Sequence, residues 1–287
     1  MTRPTTVPGA WVAGGALILG MACSEEAGPG VSRSADAAVA RSDMSTGGVR
    51  WDGGSGAPDA GSEDTAVAQD PRPALRFEAS FLAGSTDANG SFMGGTETMR
   101  LAGYGGALFA GNGYWTDVPG EDPTPGAQVL TKPGPEVGWR VERNFPGALR
   151  VNAMEPMTLS TNGAGVELAD PVELLLVDAA RESARASGRL RVWVRNSAGE
   201  WTESAISNAS GLAYVRAFGF HRDTATGADL VFAGTGAGEI FRGQYDAEAA
   251  GGIRWNPEPE YRNPAFDGST PFARVSAFGR ANGRLYA

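Results

Sequence analysis

Apolar and polar positions divide the chain into three zones. Residues 10–22 (AWVAGGALILGMA) form an unbroken run of small and apolar residues. Residues 24–74 hold no Ile, Leu, Phe or Tyr. From Leu75 onward, short apolar runs alternate with clusters of Gly, Asn, Asp and Pro. Among these runs are MRLAGY, ALFAG, AQVLT, GWRVERNF, ELLLVDAA, RLRVWVR, YVRAFGF, DLVFAG, EIFRGQY and GGIRW. They are short and rich in Val, Phe, Tyr and Trp, which is strand content with turn chemistry between. One segment, Asp178–Ser187 (DAARESARAS), is helix-like, as a helical turn or a long loop between strands. With no rhythm of alternating strand and helix, a doubly wound α/β fold is excluded and an all-β domain is expected over 75–287.

The strand content repeats. TMRLAGYGGALFAGNG surrounds Arg100, YVRAFGF and ADLVFAGTG follow Tyr214, and ARVSAFGRANGRLYA surrounds Arg274. Gly103 and Gly219 are 116 positions apart and Gly219 and Gly279 are 60 apart. A period of about 58–60 residues fits both, with a divergent copy at about 155–208. Within that copy, WVRNSAGEW reads as a hairpin turning at Asn-Ser-Ala-Gly. The small residues of LFAGNG and VFAGTG suit inner strands, where neighbouring units crowd. Strand units of this period imply a β-propeller-like architecture, because one small sheet cannot bury both faces and stacked sheets can. A β-sandwich is the alternative, and it needs no such repeat. The domain holds about three and a half such blades, and propellers have four or more. The expectation is an incomplete reading frame, or a four-bladed ring closed by residues near Arg76–Leu82.

The first two zones read differently. Arg3 precedes the apolar run, and Ala22 ends it, as in a secretory signal peptide over residues 1–22. About thirteen apolar residues are too few to span a bilayer, which takes roughly 20. Residues 23–74 carry nine acids against four arginines and almost no large apolar side chain. Such a segment cannot offset its ordering entropy, and a disordered acidic tether is expected. Trp51 is its one large aromatic, read as incidental rather than as a docking anchor.

Composition narrows the chemistry. The net charge is −9, which argues against a nucleic-acid partner. A single Cys excludes internal disulfides and thiolate zinc clusters, and a single His excludes multi-histidine metal sites.

Two resemblances follow from specific residues. Leu19-Gly20-Met21-Ala22-Cys23 resembles a bacterial lipoprotein lipobox, with departures at Gly20 and Met21. The resemblance implies diacylglycerol on the Cys23 sulfur, cleavage before it and a membrane anchor. Ser24, where Asp would favour inner-membrane retention, points to the outer membrane. An ordinary secretory signal with an incidental cysteine is the competing reading. Ser85-Thr86-Asp87-Ala88-Asn89-Gly90-Ser91-Phe92 resembles the Asp-box turn of sialidase-type propellers. Ser85, Asp87, Ser91 and Phe92 match it, and Asn89 stands where Gly is usual. The resemblance implies that Ser and Asp bond the turn while the aromatic packs beneath. An ordinary polar turn is the competing reading.

No catalytic set is legible. His221 is the one imidazole base, and no G-x-S-x-G elbow accompanies it. Glu239, Asp246, Glu258 and Glu260 cluster in the third repeat as candidate glycosidase carboxylates or as solvated loop acids. Gly234–Gly238 reads as a turn rather than a phosphate loop. Asp117–Asp122 could bind calcium, though its spacing matches no EF-hand. No cofactor and no metal are expected. The sequence therefore implies a lipid-anchored extracytoplasmic binding module with a glycan or protein ligand. An Asp-box glycoside hydrolase of the cell envelope is the alternative.

Overall fold

A computed structural model describes residues 78–114, 125–180, 189–207, 214–264 and 274–287. The chain divides into two units, Met1–Pro71 and Arg72–Ala287. The first lies wholly outside the described residues, with the signal segment, Cys23 and most of the tether.

The second unit is all-β. Its strands are β1 (Ser85–Thr86), β2 (Phe92–Met93), β3 (Glu97–Tyr104), β4 (Ala107–Gly113), β5 (Ala127–Lys132) and β6 (Arg140–Phe145). They continue as β7 (Arg150–Thr161), β8 (Glu167–Ala180), β9 (Arg189–Asn196), β10 (Trp201–Ser207), β11 (Val215–Arg222) and β12 (Asp229–Thr235). The last are β13 (Glu239–Tyr245), β14 (Ile253–Trp255), β15 (Tyr261–Arg262), β16 (Gly279–Ala281) and β17 (Arg284–Tyr286). Among the described residues, the only helical turn is the 3-10 turn Ala250–Gly252. Asp178–Ala180, expected to begin a helix-like piece, continue β8 as strand, paired with β7. Residues 181–188 lie outside the described residues.

Pairing sorts these strands into consecutive antiparallel meanders. The first is β3-β4-β5-β6, the second β7-β8-β9-β10 and the third β11-β12-β13-β14, with β15 added beside β13. A single bridge, Gly113 to Arg150, joins the first two into one curled eight-stranded sheet. The hairpin β16-β17 follows, tied back by Val275 N–H donating to Thr235 O. The expected divergent copy is the second meander, Arg150–Ser207. Its WVRNSAGEW segment forms the predicted hairpin, with β10 opening on Trp201. The first strands of successive meanders, β3, β7 and β11, lie against one another, and β17 lies against β11.

Meanders stack face to face, so a middle strand is buried on both sides. That explains the continuous run Leu174-Leu175-Leu176-Val177. Leu175 and Val177 pack toward the first meander, with Phe109, Val129 and Phe145. Leu174 and Leu176 pack toward the third, with Val231, Phe241 and Ile253. A strand with one wet face would alternate instead. Cation–π packing adds to the first interface. The Arg143 guanidinium lies 4.2 Å from the Trp193 ring centre and 5.4 Å from that of Trp201. Burial holds this guanidinium below its usual pKa. Arg195 bridges to Glu142 at 2.6 Å across the same interface.

The LFAGNG and VFAGTG segments are β4 and β12, the second strands of their meanders, each flanked by strands on both sides. Their small residues still answer to crowding. A Cβ added at Gly111 would fall 2.5 Å from Val151 Cγ1 at the start of β7. Its repeat partner Gly234 is blocked in the same way by Val275. The residues before β3 pack on the first meander. Phe81 joins Met93, Ala110, Leu130 and Trp139. The described residues 78–82 form no strand beside β16-β17, where ring closure was one expectation.

Gly111→Ala and Gly234→Ala should each lose about 1–3 kcal/mol of stability, from overpacking against a valine of the next unit. Urea denaturation measures this. Pairing Gly111→Ala with Val151→Ala should recover part of the loss, as touching sites are non-additive.

Candidate functional site

The first strand of each meander carries a register break near its start, and β7 carries a second one at Ser160. The ladder skips Met99 in β3, Asn152 in β7 and Arg216 in β11. A bulged residue is left out of the ladder, so its carbonyl needs another donor when buried. Arg100 supplies that donor for all three. Its Nε donates to Asn152 O at 2.9 Å, its Nη2 to Arg216 O at 3.3 Å and its Nη1 to Met99 O at 3.4 Å. The planar fork of arginine suits this task, and a lysine ammonium would not span it.

Around this hub other charges gather. Burial first, and then neighbouring Arg216, hold the Arg100 guanidinium below its usual pKa, while Glu155 opposes them. Desolvation raises the Glu155 carboxyl, and Arg280 and Arg100 pull it back. Arg280 lies 5.5 Å from the Phe220 ring centre, and Arg216 lies 6.0 Å from that of Tyr214. Beneath them, Asn152 Nδ2 donates to Asp178 Oδ1 at 2.9 Å, with both side chains buried. The result is a cationic focus of three arginines and one glutamate where the first strands meet, on a chain of net charge −9.

Chemically this cluster can hold an acidic group. It offers a poor two-carboxylate machine. Glycoside hydrolysis uses two carboxyls about 5–9.5 Å apart. Here Glu155 couples to arginines, and Asp178 is buried against Asn152.

The structure places the sequence-derived candidates as follows. Cys23 and Asp117–Asp122 lie outside the described residues. Ser85 and Phe92 fall on β1 and β2, which pair across the turn. Asp87 is buried and accepts from Asn89 and Ser91 N–H through Oδ1, and from Val141 N–H through Oδ2. The Val141 bond, followed by those of Ser91 and Asn89, holds its carboxyl below the usual range against the cost of burial. Ser85 Oγ donates to Leu82 O. Phe92 is 48% exposed, whereas Met93 beside it is buried. The left-handed position is Gly90, at φ 80°, rather than Asn89.

This turn recurs. Asp87–Gly90, Asn162–Gly165, Asn196–Gly199 and Thr235–Gly238 each close with the glycine N–H donating to the first residue's carbonyl. In all four, the first side chain's oxygen accepts the N–H four residues on. All four glycines have positive φ, between 74° and 87°. Asp, Asn and Thr thus do the same work in one hairpin turn with a left-handed fourth residue. Gly234–Gly238 belongs to this set as a strand–turn–strand connection.

His221 lies at the end of β11, paired with Leu230. Nearby Asp223 is bonded to Thr226 and Ala225 within its own turn, which lowers its pKa. The four third-repeat acids are dispersed into ion pairs. Buried Glu239 lies 3.6 Å from Arg262, Glu258 lies 3.7 Å from Arg262, and Glu260 lies 3.0 Å from Arg242. Asp246 pairs with Arg254. Sequence reasoning missed Glu155, Asn152 and Arg280. The available signal was the Arg following Met99 and Val215 in the repeated first strands, which served there only to align copies.

Among the described residues, no group of three His, Cys, Asp or Glu is placed to hold a metal ion, and no helix is long and apolar enough to cross a membrane. A scan against protein-family models found no match for this chain, and a search of curated proteins found none.

Removing the hub should loosen all three meanders together. Arg100→Ala should cost about 2–3 kcal/mol in urea denaturation, because charge-assisted bonds to carbonyls are lost. Arg100→Lys should recover only part of it.

Proposed function

We propose that this chain is a lipid-anchored, extracytoplasmic bacterial lipoprotein that presents a propeller-like binding module on an acidic tether. The observation that carries the binding reading is the Arg100 hub. Three four-stranded meanders in sequence, with adjoining first strands, support propeller-like blades around an axis. Arg216, Arg280 and Glu155 at that axis supply a charged focus for a glycan or protein ligand bearing an acidic group. The lipobox-like run ending at Cys23 supports the anchor. Each buried CH₂ of an acyl chain adds roughly 0.8 kcal/mol of membrane affinity. Ser24 favours the outer membrane.

The second reading is an Asp-box glycoside hydrolase. Three arginines beside a glutamate favour it. Arg100 counts against it, because its donors are engaged by backbone carbonyls. Asp87 adds little to it, since its turn is one of four alike among the described residues.

Two measurements test the proposal. Cells expressing the chain and fed a clickable palmitate should label it, and Cys23→Ala should lose the label; label persisting in that variant removes the anchor. On a glycan array, the full chain in detergent should be retained without turnover. Hydrolysis of a fluorogenic glycoside by the parent, abolished in Glu155→Gln, would establish the enzyme instead.

A further inference from the structure

A groove away from the axis runs between the second and third meanders. Two adjoining cavities of about 330 Å³ each make it up, and they share Tyr245 and Ala247. Each is at the low end of the range small ligands occupy, about 300–1,000 Å³. Val172, Leu174 and Val194 give one cavity an apolar floor, and Asn196, Glu200 and Thr202 give it a polar rim. Asn162, Gln244 and Asp246 line the other.

The two acids here are both engaged, Asp246 by a cation and Glu200 by a neutral amide. Asp246 is paired with Arg254 and accepts the Glu248 N–H, which holds its carboxyl below the usual range. Glu200 accepts from Asn196 Nδ2 at 2.9 Å. An anionic ligand would therefore meet two carboxylates, and no Lys or Arg lines either cavity. What the walls do offer is the Gln244 amide and the Thr202 hydroxyl, which both donate and accept, beside Asn162 and Asn196, whose Oδ1 atoms are used in their turns. Tyr245 contributes an aromatic ring with an apolar body and a polar tip. The Gln244 amide lies against Gly163, where a Cβ would fall 2.2 Å from its Cδ.

We propose that this groove is a second binding site, and that it takes a neutral oligosaccharide. Ring faces lie on Tyr245 and the aliphatic floor, while the amides read hydroxyls. Two cavities joined at Tyr245 and Ala247 make two adjoining subsites, so a single sugar fills only half the groove.

The test uses the full chain in detergent and saturation-transfer NMR against maltotriose, cellotriose, chitotriose and trigalacturonate. At least one neutral trisaccharide should bind. Ala247→Trp, an exposed substitution that fills the shared part of the groove and removes no contact, should weaken that binding at least about tenfold. Tyr245→Ala should do the same. Val137→Ala, on the first meander, should leave it unchanged. The proposal is overturned if none of the three neutral sugars binds, if trigalacturonate alone binds, or if Ala247→Trp binds as the parent does.

Discussion

A bulge releases a strand carbonyl from its ladder, and three strands here release theirs at the same stage of the repeat. Met99, Asn152 and Arg216 all turn to one guanidinium. Buried backbone acceptors without donors are costly, so the approach of the three first strands depends on Arg100. The arrangement also places charge. A guanidinium committed to carbonyls brings its positive field to where the first strands adjoin, and Arg216, Arg280 and Glu155 are set around that field.

Stacking does the rest. Each meander is too small to bury its own faces, so cohesion comes from neighbours. Leu174 through Val177 show this within four residues, alternate side chains serving two different interfaces. Gly111 and Gly234 show it from the other side, each cleared of a Cβ so that the next unit's valine can enter. Polar groups follow the same division of labour. Turns are fixed by Asp87, Asn162, Asn196 and Thr235, and interface charges by Arg143 stacking and the Arg195–Glu142 bridge.

Much of this was legible in the residues. Strand content, the WVRNSAGEW hairpin and the unit at about 155–208 follow from local patterns, because turn glycines and β-branched runs act over a few residues. Other features misled. DAA at 178–180 has helical propensity, yet Asp178 is buried against Asn152 and the segment pairs with β7. Glu239, Asp246, Glu258 and Glu260 look like a cluster in sequence, but alternation and loops divide them among three arginines, with Glu239 and Glu258 sharing Arg262. The charged group around Arg100 was invisible as a group, since Arg100, Glu155, Arg216 and Arg280 are far apart in sequence.

By itself the sequence determined the all-β class, the recurrence of a strand unit, the turn positions and the lone cysteine behind a signal-like run. These are local properties, set by period, by glycine conformation and by composition. Only the tertiary structure decided which strand of each unit faces its neighbours, which acids lie together and where positive charge gathers. The reason is that bulged carbonyls of strands far apart in sequence must share one donor, and no local pattern records which donor that will be.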